Sequence, residues 1–419
     1  MTKHRRPKKF QFAVLLCIFL SAAAFSQTKI ADLKPTVILI SIDGMRADYV
    51  DRFIPPALTQ MAKTGVRAEW MTPSFPTKTF PNHYTIATGL YPANHGIVEN
   101  NVYDFDTVFT MSKREEVRNP RWWGGEPIWV TATKQGQLAG SYFFVGTEAP
   151  IERVNIWKTR YYNGRVPNNM RVDKVLSWLD NPVNDRPTII TLYFSDVDDA
   201  GHEFGPDAEE TKYAVWEVDS SIERLMQGLK KRGIENKANV IVVSDHGMAK
   251  VNVRNTTFLD DHFDFDDTER ILWTSEIIQI FPKPGKEESI YAKIKDLPHV
   301  SCWKKADIPE RLNYRQGKRV APIVCSSQEG WITTNHKRYE DWIDDLDDLD
   351  RPRGAHGYDN AIESMRATFI AHGPAFKSGF VAKPFPNVDV YNVMCEILGL
   401  KAAPNDGDLS RVRPMLNEP

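Results

Sequence analysis

The chain is poor in cysteine, with four in 419 residues. Cys302, Cys325 and Cys395 are the three beyond residue 26, and their spacing does not match a zinc site. In an oxidising compartment two of them would pair and one would be left over. Three pairings are open; Cys302 with Cys325, the nearest in sequence, is the expected one. There is no excess of positive charge either: 53 Lys and Arg stand against 55 Asp and Glu, a formal net charge of −2. Lys3, Arg5, Arg6, Lys8 and Lys9 sit in the first 26 residues, which hold no acid. Without that segment 48 basic side chains face 55 acidic ones, a net −7. A polyanion-binding surface is thereby excluded, though a local phosphate pocket is not. No apolar run reaches the ~20 residues of a membrane span. The longest, Phe12–Phe25, has 14 residues, follows a basic start, and leads to Ala24-Phe25-Ser26 before Gln27. That is the layout of a cleavable secretory signal over residues 1–26, with the mature protein secreted or periplasmic. Leu15 and Leu16 before Cys17 do not fit a lipoprotein site. Internal repeats and low-complexity tracts are absent.

Hydrophobic residues make up 42% and charged residues 26%, an ordinary globular composition able to bury a large core. The length suits one large domain with insertions, or two to three modules. Pro35–Asp43 is a short apolar run rich in β-branched residues, followed by Gly44, and predicts a buried strand of a parallel sheet. Pro187–Asp196 and Asn239–Asp245 predict two more, 367–372 a late strand. Helices are expected over 54–65, 208–232 and 388–400. Tyr213, Val215, Trp216, Val218, Ile222, Leu225 and Met226 form the expected apolar face of the second. Strands alternating with helices indicate an α/β fold with a mostly parallel sheet. Residues 250–350, rich in charge and Pro, read as an insertion or cap on a domain spanning 27–419. The acidic run 340–350 reads as solvated surface.

Two strand ends deliver acids to the region where α/β sheets build sites. The first is Asp43; the second is Asp245, followed by His246 and Gly247. Asp198 and His202 follow another strand at a spacing that shares one face of a helical turn. His356 lies in Gly354-Ala-His356-Gly-Tyr-Asp-Asn360. Singly, each is more often a cap or a structural residue than a ligand. Together, three Asp and three His suffice for two zinc sites with open positions. Thr79 stands just before a predicted helix over 82–88, where free N–H groups and the helix dipole favour an anion. A hydroxyl held there beside a metal becomes a nucleophile; without metals Thr79 is a cap.

The segments Ile38–Arg46, Pro73–Tyr84, Thr88–Ile97, Asp198–His202, Ser244–Met248 and His356–Asp359 resemble the nucleotide pyrophosphatase/phosphodiesterase family of the alkaline phosphatase superfamily. The likeness runs in order from about Pro35 to Leu400 and identifies a bacterial, secreted member with an alkaline-phosphatase-like core. It implies one zinc on Asp198, His202 and His356, and a second on Asp43, Asp245 and His246 with Thr79. Thr79 is implied as the nucleophile of a phospho-enzyme intermediate. Asn100, with the Phe80 N–H, is implied to bind a non-bridging phosphate oxygen, and Phe80 and Tyr193 to sandwich a base. The implied reaction is hydrolysis of phosphodiester or pyrophosphate bonds in nucleotides to a 5′-monophosphate. Phospholipids or glycerophosphocholine are the alternative substrates on the same core; a phosphomonoesterase and an inactive binding relative follow behind. No arginine adjoins Thr79, and Lys78 could equally face outward. Trp122, Trp123 and Trp129 could line a site or pack. The expected partner is a small-molecule phosphodiester, with neither nucleic acid nor a stable membrane span.

Overall fold

A computed structural model of the chain describes residues 29–104, 106–344 and 346–418. The expected signal segment lies outside the described residues. Eight strands form one sheet: β1 (Thr36–Ile42), β2 (Val66–Ala68), β3 (Ala139–Tyr142), β4 (Lys158–Thr159), β5 (Ile189–Phe194), β6 (Ala238–Val243), β7 (Phe369–His372) and β8 (Phe380–Ala382). Their order is β8-β2-β7-β6-β1-β5-β3-β4. β1 pairs in parallel with both β5 and β6, and β3 joins β5 in parallel. β7 runs antiparallel to its neighbours β6 and β2. The sheet is therefore mostly parallel, as the apolar β-branched runs require: a parallel strand is covered on both faces.

Alternation along β1 shows this directly. Val37 and Leu39 enter one core cluster, Ile38, Ile40 and Ile42 the other. The helices are α1 (Pro56–Thr64), α2 (Thr79–Thr88), α3 (Asn168–Leu179), α4 (Asp196–Phe204), α5 (Glu209–Lys231) and α6 (Asp389–Leu398). α1, α3 and α5 supply the second cluster; α2 and α6 supply the first. The expected face of α5 needs correction. Val215, Val218, Ile222, Leu225 and Leu229 are buried, whereas Tyr213 and Trp216 are exposed. The buried set follows the i, i+3, i+7 spacing, and at 100° per residue Tyr213 and Trp216 fall outside that stripe. Trp216 instead donates its indole N–H to Phe53 O at 2.8 Å.

Within 250–350, a separate antiparallel sheet joins, in order, Thr268–Trp273, Ile277–Pro282, Ile323–Ser327 and Val300–Lys304. One face carries its own core, with Leu259, Phe263, Ile278 and Ile290. Ile277 and Val324 instead join the main core. Cys302 and Cys325 face each other across two of these strands and are disulfide-bonded, while Cys395 is buried and free. Trp122, Trp123 and Trp129 are all packed in the main core. Among the described residues no helix is long and apolar enough to cross a membrane.

Candidate active site

Because β5, β1 and β6 are adjacent and parallel, their C-terminal ends meet on one edge of the sheet. Asp43 follows β1, and Asp245 with His246 follows β6. β5 turns directly into α4, which carries Asp198 and His202 one helical turn apart on one face. Gly44, at φ +68, lets this edge close up: a Cβ there would stand 3.0 Å from the Cα of Asp198. His356 follows the Arg353–Ala355 strand, which pairs with Ala249–Val251.

The six acids and histidines gather into two groups, Asp198/His202/His356 and Asp43/Asp245/His246, each with one ligand atom per residue within 4.8 Å of the others. The imidazoles of His246 and His356 stack at 3.5 Å, so the groups lie side by side.

The hydrogen bonds fix what each ring offers. Nδ1 of His202, His246 and His356 lies 2.9, 2.8 and 2.8 Å from the carbonyl oxygens of Gly354, Gly247 and Thr77. A carbonyl only accepts, so Nδ1 carries the hydrogen and Nε2 presents a lone pair when the ring is neutral. Those lone pairs face carboxylates. His246 Nε2 is 2.9 Å from Asp245 Oδ2 and 3.3 Å from Asp43 Oδ1. His202 Nε2 is 3.4 Å from Asp198 Oδ2, and His356 Nε2 is 3.6 Å from Asp198 Oδ1. Two acceptors at these distances repel unless a cation stands between them. Asp43 Oδ1, Asp198 Oδ1 and Asp245 Oδ2 are moreover buried without a hydrogen-bond donor. Oxygen and imidazole donors left in this state fit a divalent metal.

The ionisation of the same groups reflects the crowding. Burial, with the charges of Asp245 and Asp198, pushes the Asp43 carboxyl well up. Burial pushes His356 well down, helped by His246, Lys78 and His202, which keeps its Nε2 available. At His246 burial is outweighed by Asp245, which draws the value up. A proton and a metal are thus competitors for that nitrogen.

Thr79 is the first residue of α2, and its Oγ1 lies 3.3 Å from His246 Nε2. Phe80 N–H donates to Asn100 Oδ1 at 2.9 Å, so that N–H is engaged and the Asn100 amide Nδ2 is the remaining donor. A cavity of about 290 Å³ is bordered by Asp43, Thr79, Phe80, Tyr193 and Asp198. The Phe80 ring rests against Phe109 and Trp123 at 5.7 and 6.2 Å. Tyr193 donates its hydroxyl to Asp43 Oδ2 at 2.6 Å, which ties the ring to the buried acid group. All ten residues singled out in the sequence therefore meet at one place.

The described Type I phosphodiesterase / nucleotide pyrophosphatase family matches residues 37–359. The chain belongs to that family. It is 36% identical to a venom phosphodiesterase of Macrovipera lebetinus over 91% of its length, and 36% identical to ectonucleotide pyrophosphatase/phosphodiesterase family member 3 of Rattus norvegicus over 92%. It spans about half of those relatives, 45% and 44% respectively. Among solved structures, human ectonucleotide pyrophosphatase/phosphodiesterase 5 superposes with a TM-score of 0.85 at 33% identity, covering 91% of this chain and 100% of that one. The murine protein, solved as an inactive threonine-to-alanine variant in complex with AMP, gives 0.84 at 32%, with the same coverage. The architecture is thus the alkaline-phosphatase-like fold of the phosphodiesterase family.

Some residues at this place escaped the reading of single residues. His83, one turn after Thr79, lies fully buried. Its Nδ1 is 2.9 Å from Thr79 O and 3.3 Å from Asp245 Oδ2, and its Nε2 is 2.8 Å from Ser41 Oγ. The i, i+4 spacing within a helix was the available clue. Phe143, Phe144, Arg160 and Tyr162 also border the cavity, from connecting segments whose sequence carries no periodic signal. Lys78, which could have faced outward, is buried and ion-paired with Glu276.

Proposed function

We propose that the protein hydrolyses phosphodiester and pyrophosphate bonds of nucleotides and their derivatives, releasing a nucleoside 5′-monophosphate. The observation that carries this reading is the placement of Thr79 Oγ1 at the head of a helix, 3.3 Å from one of two abutting carboxylate–histidine groups. Family membership and the curated relatives named for phosphodiesterase activity support it. In this reading residues 27–419 are one catalytic domain with an insertion at about 250–350, working in a secreted or periplasmic setting.

Asp198, His202 and His356 would hold one zinc ion, and Asp43, Asp245, His246 and Thr79 a second. When bound, the pair supplies Lewis acidity that lowers the Thr79 hydroxyl pKa and neutralises charge on the attacking and leaving oxygens. The rest is work for the chain. Thr79 Oγ attacks phosphorus while the bond to the leaving oxygen breaks, giving a phosphothreonine ester; water then releases the monophosphate. The helix dipole at the start of α2 favours the anionic phosphoryl group over Thr79. Asn100 donates its Nδ2–H to a non-bridging oxygen. A neutral donor suits a singly charged diester, and Lys78 does not compete for it because its ammonium is bound to Glu276. Phe80 and Tyr193 offer apolar ring surface for a base in the cavity.

The test is paired kinetics with the zinc-loaded protein, comparing an aryl ester of thymidine 5′-monophosphate with phosphocholine and a simple aryl phosphomonoester. A large preference for the nucleotide ester is expected. Preference for phosphocholine would move the substrate class to lipid headgroups and keep the core. Faster monoester turnover would overturn the diesterase reading, and no turnover of any would leave a binding relative.

A further inference from the structure

Three buried charged residues have no part in the chemistry above. Lys78, Glu99 and Glu276 are 5, 2 and 5% exposed. Lys78 immediately precedes Thr79, and Glu99 immediately precedes Asn100. Glu276 comes from elsewhere, from the Thr274-Ser275-Glu276 turn joining Thr268–Trp273 to Ile277–Pro282 in the antiparallel sheet. Burying charge is costly unless each group is paired and hydrogen-bonded, so such a cluster has to be geometrically closed.

It is closed through the turn. Lys78 Nζ binds the Glu276 carboxylate and donates to Thr274 O at 3.2 Å. Thr274 Oγ1 is 3.0 Å from Glu99 Oε1, and Glu99 Oε2 accepts from Asn101 N–H at 2.9 Å. The Thr274 hydroxyl also lies 2.9 Å from Ile277 O. It has one hydrogen and two acceptors to face. Burial pushes the Glu99 carboxyl up, against the opposing charge of Lys78. Ser275, at φ +68, is pinned in turn: its carbonyl accepts from Thr333 N–H at 2.7 Å and from Ser327 Oγ at 3.1 Å.

A third segment of the site is held at the same point. Gly357, next to the ligand-bearing His356, adopts φ +125, and a Cβ there would lie 2.4 Å from Lys78 Cε and 3.1 Å from Glu276 Cβ. Thr77 joins the two stretches, accepting Gly357 N–H and donating to Tyr358 O, each at 2.9 Å.

We propose that the Thr274-Ser275-Glu276 turn is a positioning element for the reaction, setting through Lys78 and Glu99 the three chain segments that carry Thr79, Asn100 and His356. None of its side chains touches the reacting atoms in this assignment. The inference rests on the phosphodiesterase reading for its kinetic arm. Its metal arm is independent, because His356 reports the placement of a ligand whatever the substrate.

The test is the double variant Lys78→Met/Glu276→Leu, which removes both partners of the ion pair together. Turnover of a nucleotide aryl diester is expected to fall at least ten-fold with KM changed less than three-fold, since small misplacements of reacting groups cost about that much or more. Zinc affinity, read by chelator competition, is expected to weaken about ten-fold. A double variant with parental melting temperature, parental turnover and parental zinc affinity would overturn the proposal. If that variant does not fold, Thr274→Val keeps the shape and the ion pair while deleting the hydroxyl that faces Glu99. A fall in turnover of about three-fold or more at unchanged KM and melting temperature supports the proposal, and unchanged turnover overturns it. A wild-type protein that turns over no diester would fail the functional reading alone, and zinc affinity would still decide the positioning role.

Discussion

Asp43, Asp245 and His246 are sealed from solvent, whereas in the neighbouring group His202 keeps 44% of its side chain exposed and Asp198 15%. The origin of each group explains the contrast. The sealed one hangs from the ends of β1 and β6, adjacent strands at the centre of the sheet, and is braced by Tyr193 and His83. The open one is assembled from α4, which leaves His202 at the surface, and from the segment after Arg353–Ala355, which brings in the buried His356. The two groups, two Asp and one His in the sealed one and one Asp and two His in the open one, therefore have different work available to them. A cation in the sealed group is shielded from water and stays beside Thr79. In the open group, solvent and a departing product can approach.

This contrast makes measurable claims. The largest effect should come from Thr79→Ala: turnover falls by about 10³ or more while both groups keep their zinc, read by metal analysis alongside kinetics. Full diesterase activity in that variant would remove Thr79 as nucleophile and with it the special place of the sealed group. Next, His246→Ala should weaken zinc binding about a hundred-fold and His202→Ala about ten-fold, with chelators stripping the open group first. Equal losses, or the reverse order, would dissolve the distinction. Tyr193→Phe deletes only the hydroxyl held by Asp43; about a ten-fold loss of affinity is expected at the sealed group and none at the open one.

The smallest effect separates loss of fold from loss of metal in acid. His95 is fully buried with its ring hydrogen-bonded to Ile97 N–H, Thr85 and Pro81, and burial pushes its pKa down to about 3. The unfolded chain takes up that proton near pH 6.5, the folded one only near 3. The His95 contribution to stability is therefore level above about 6.5 and falls as pH drops below it, by about 1 kcal/mol per unit. Chemical denaturation across pH 4–8 should show this slope, and His95→Gln should flatten it. Zinc release that tracks pH identically in both proteins would place acid sensitivity at the metal groups instead of the fold.

Much of this was legible in one dimension. β1, β5, β6 and α5 announce themselves by runs and periods, because burial on two faces or one stripe repeats along the chain. Asp43, Asp245 and His246 were readable because acids and histidines at strand ends are unusual together, and the Thr79 block because its residues are contiguous. Other parts were not. Tyr213 and Trp216 carry the apolar signature of a core face and lie outside, since a side chain's hydrophobicity does not say which part of the helix circumference meets the sheet. Tyr162 and Arg160 reach the cavity from irregular segments that have no period to detect.

The order of residues along the chain was enough to determine which elements form, which chemistry the side chains can supply, and which family the protein resembles, because these follow from local periodicity and contiguous motifs. Which oxygen faces which nitrogen was settled by packing. The bond from Tyr193 to Asp43 spans 150 residues, and the pairing of Lys78 with Glu276 spans 198. Both depend on burial and low local dielectric, properties that exist only once distant segments have closed around the same point.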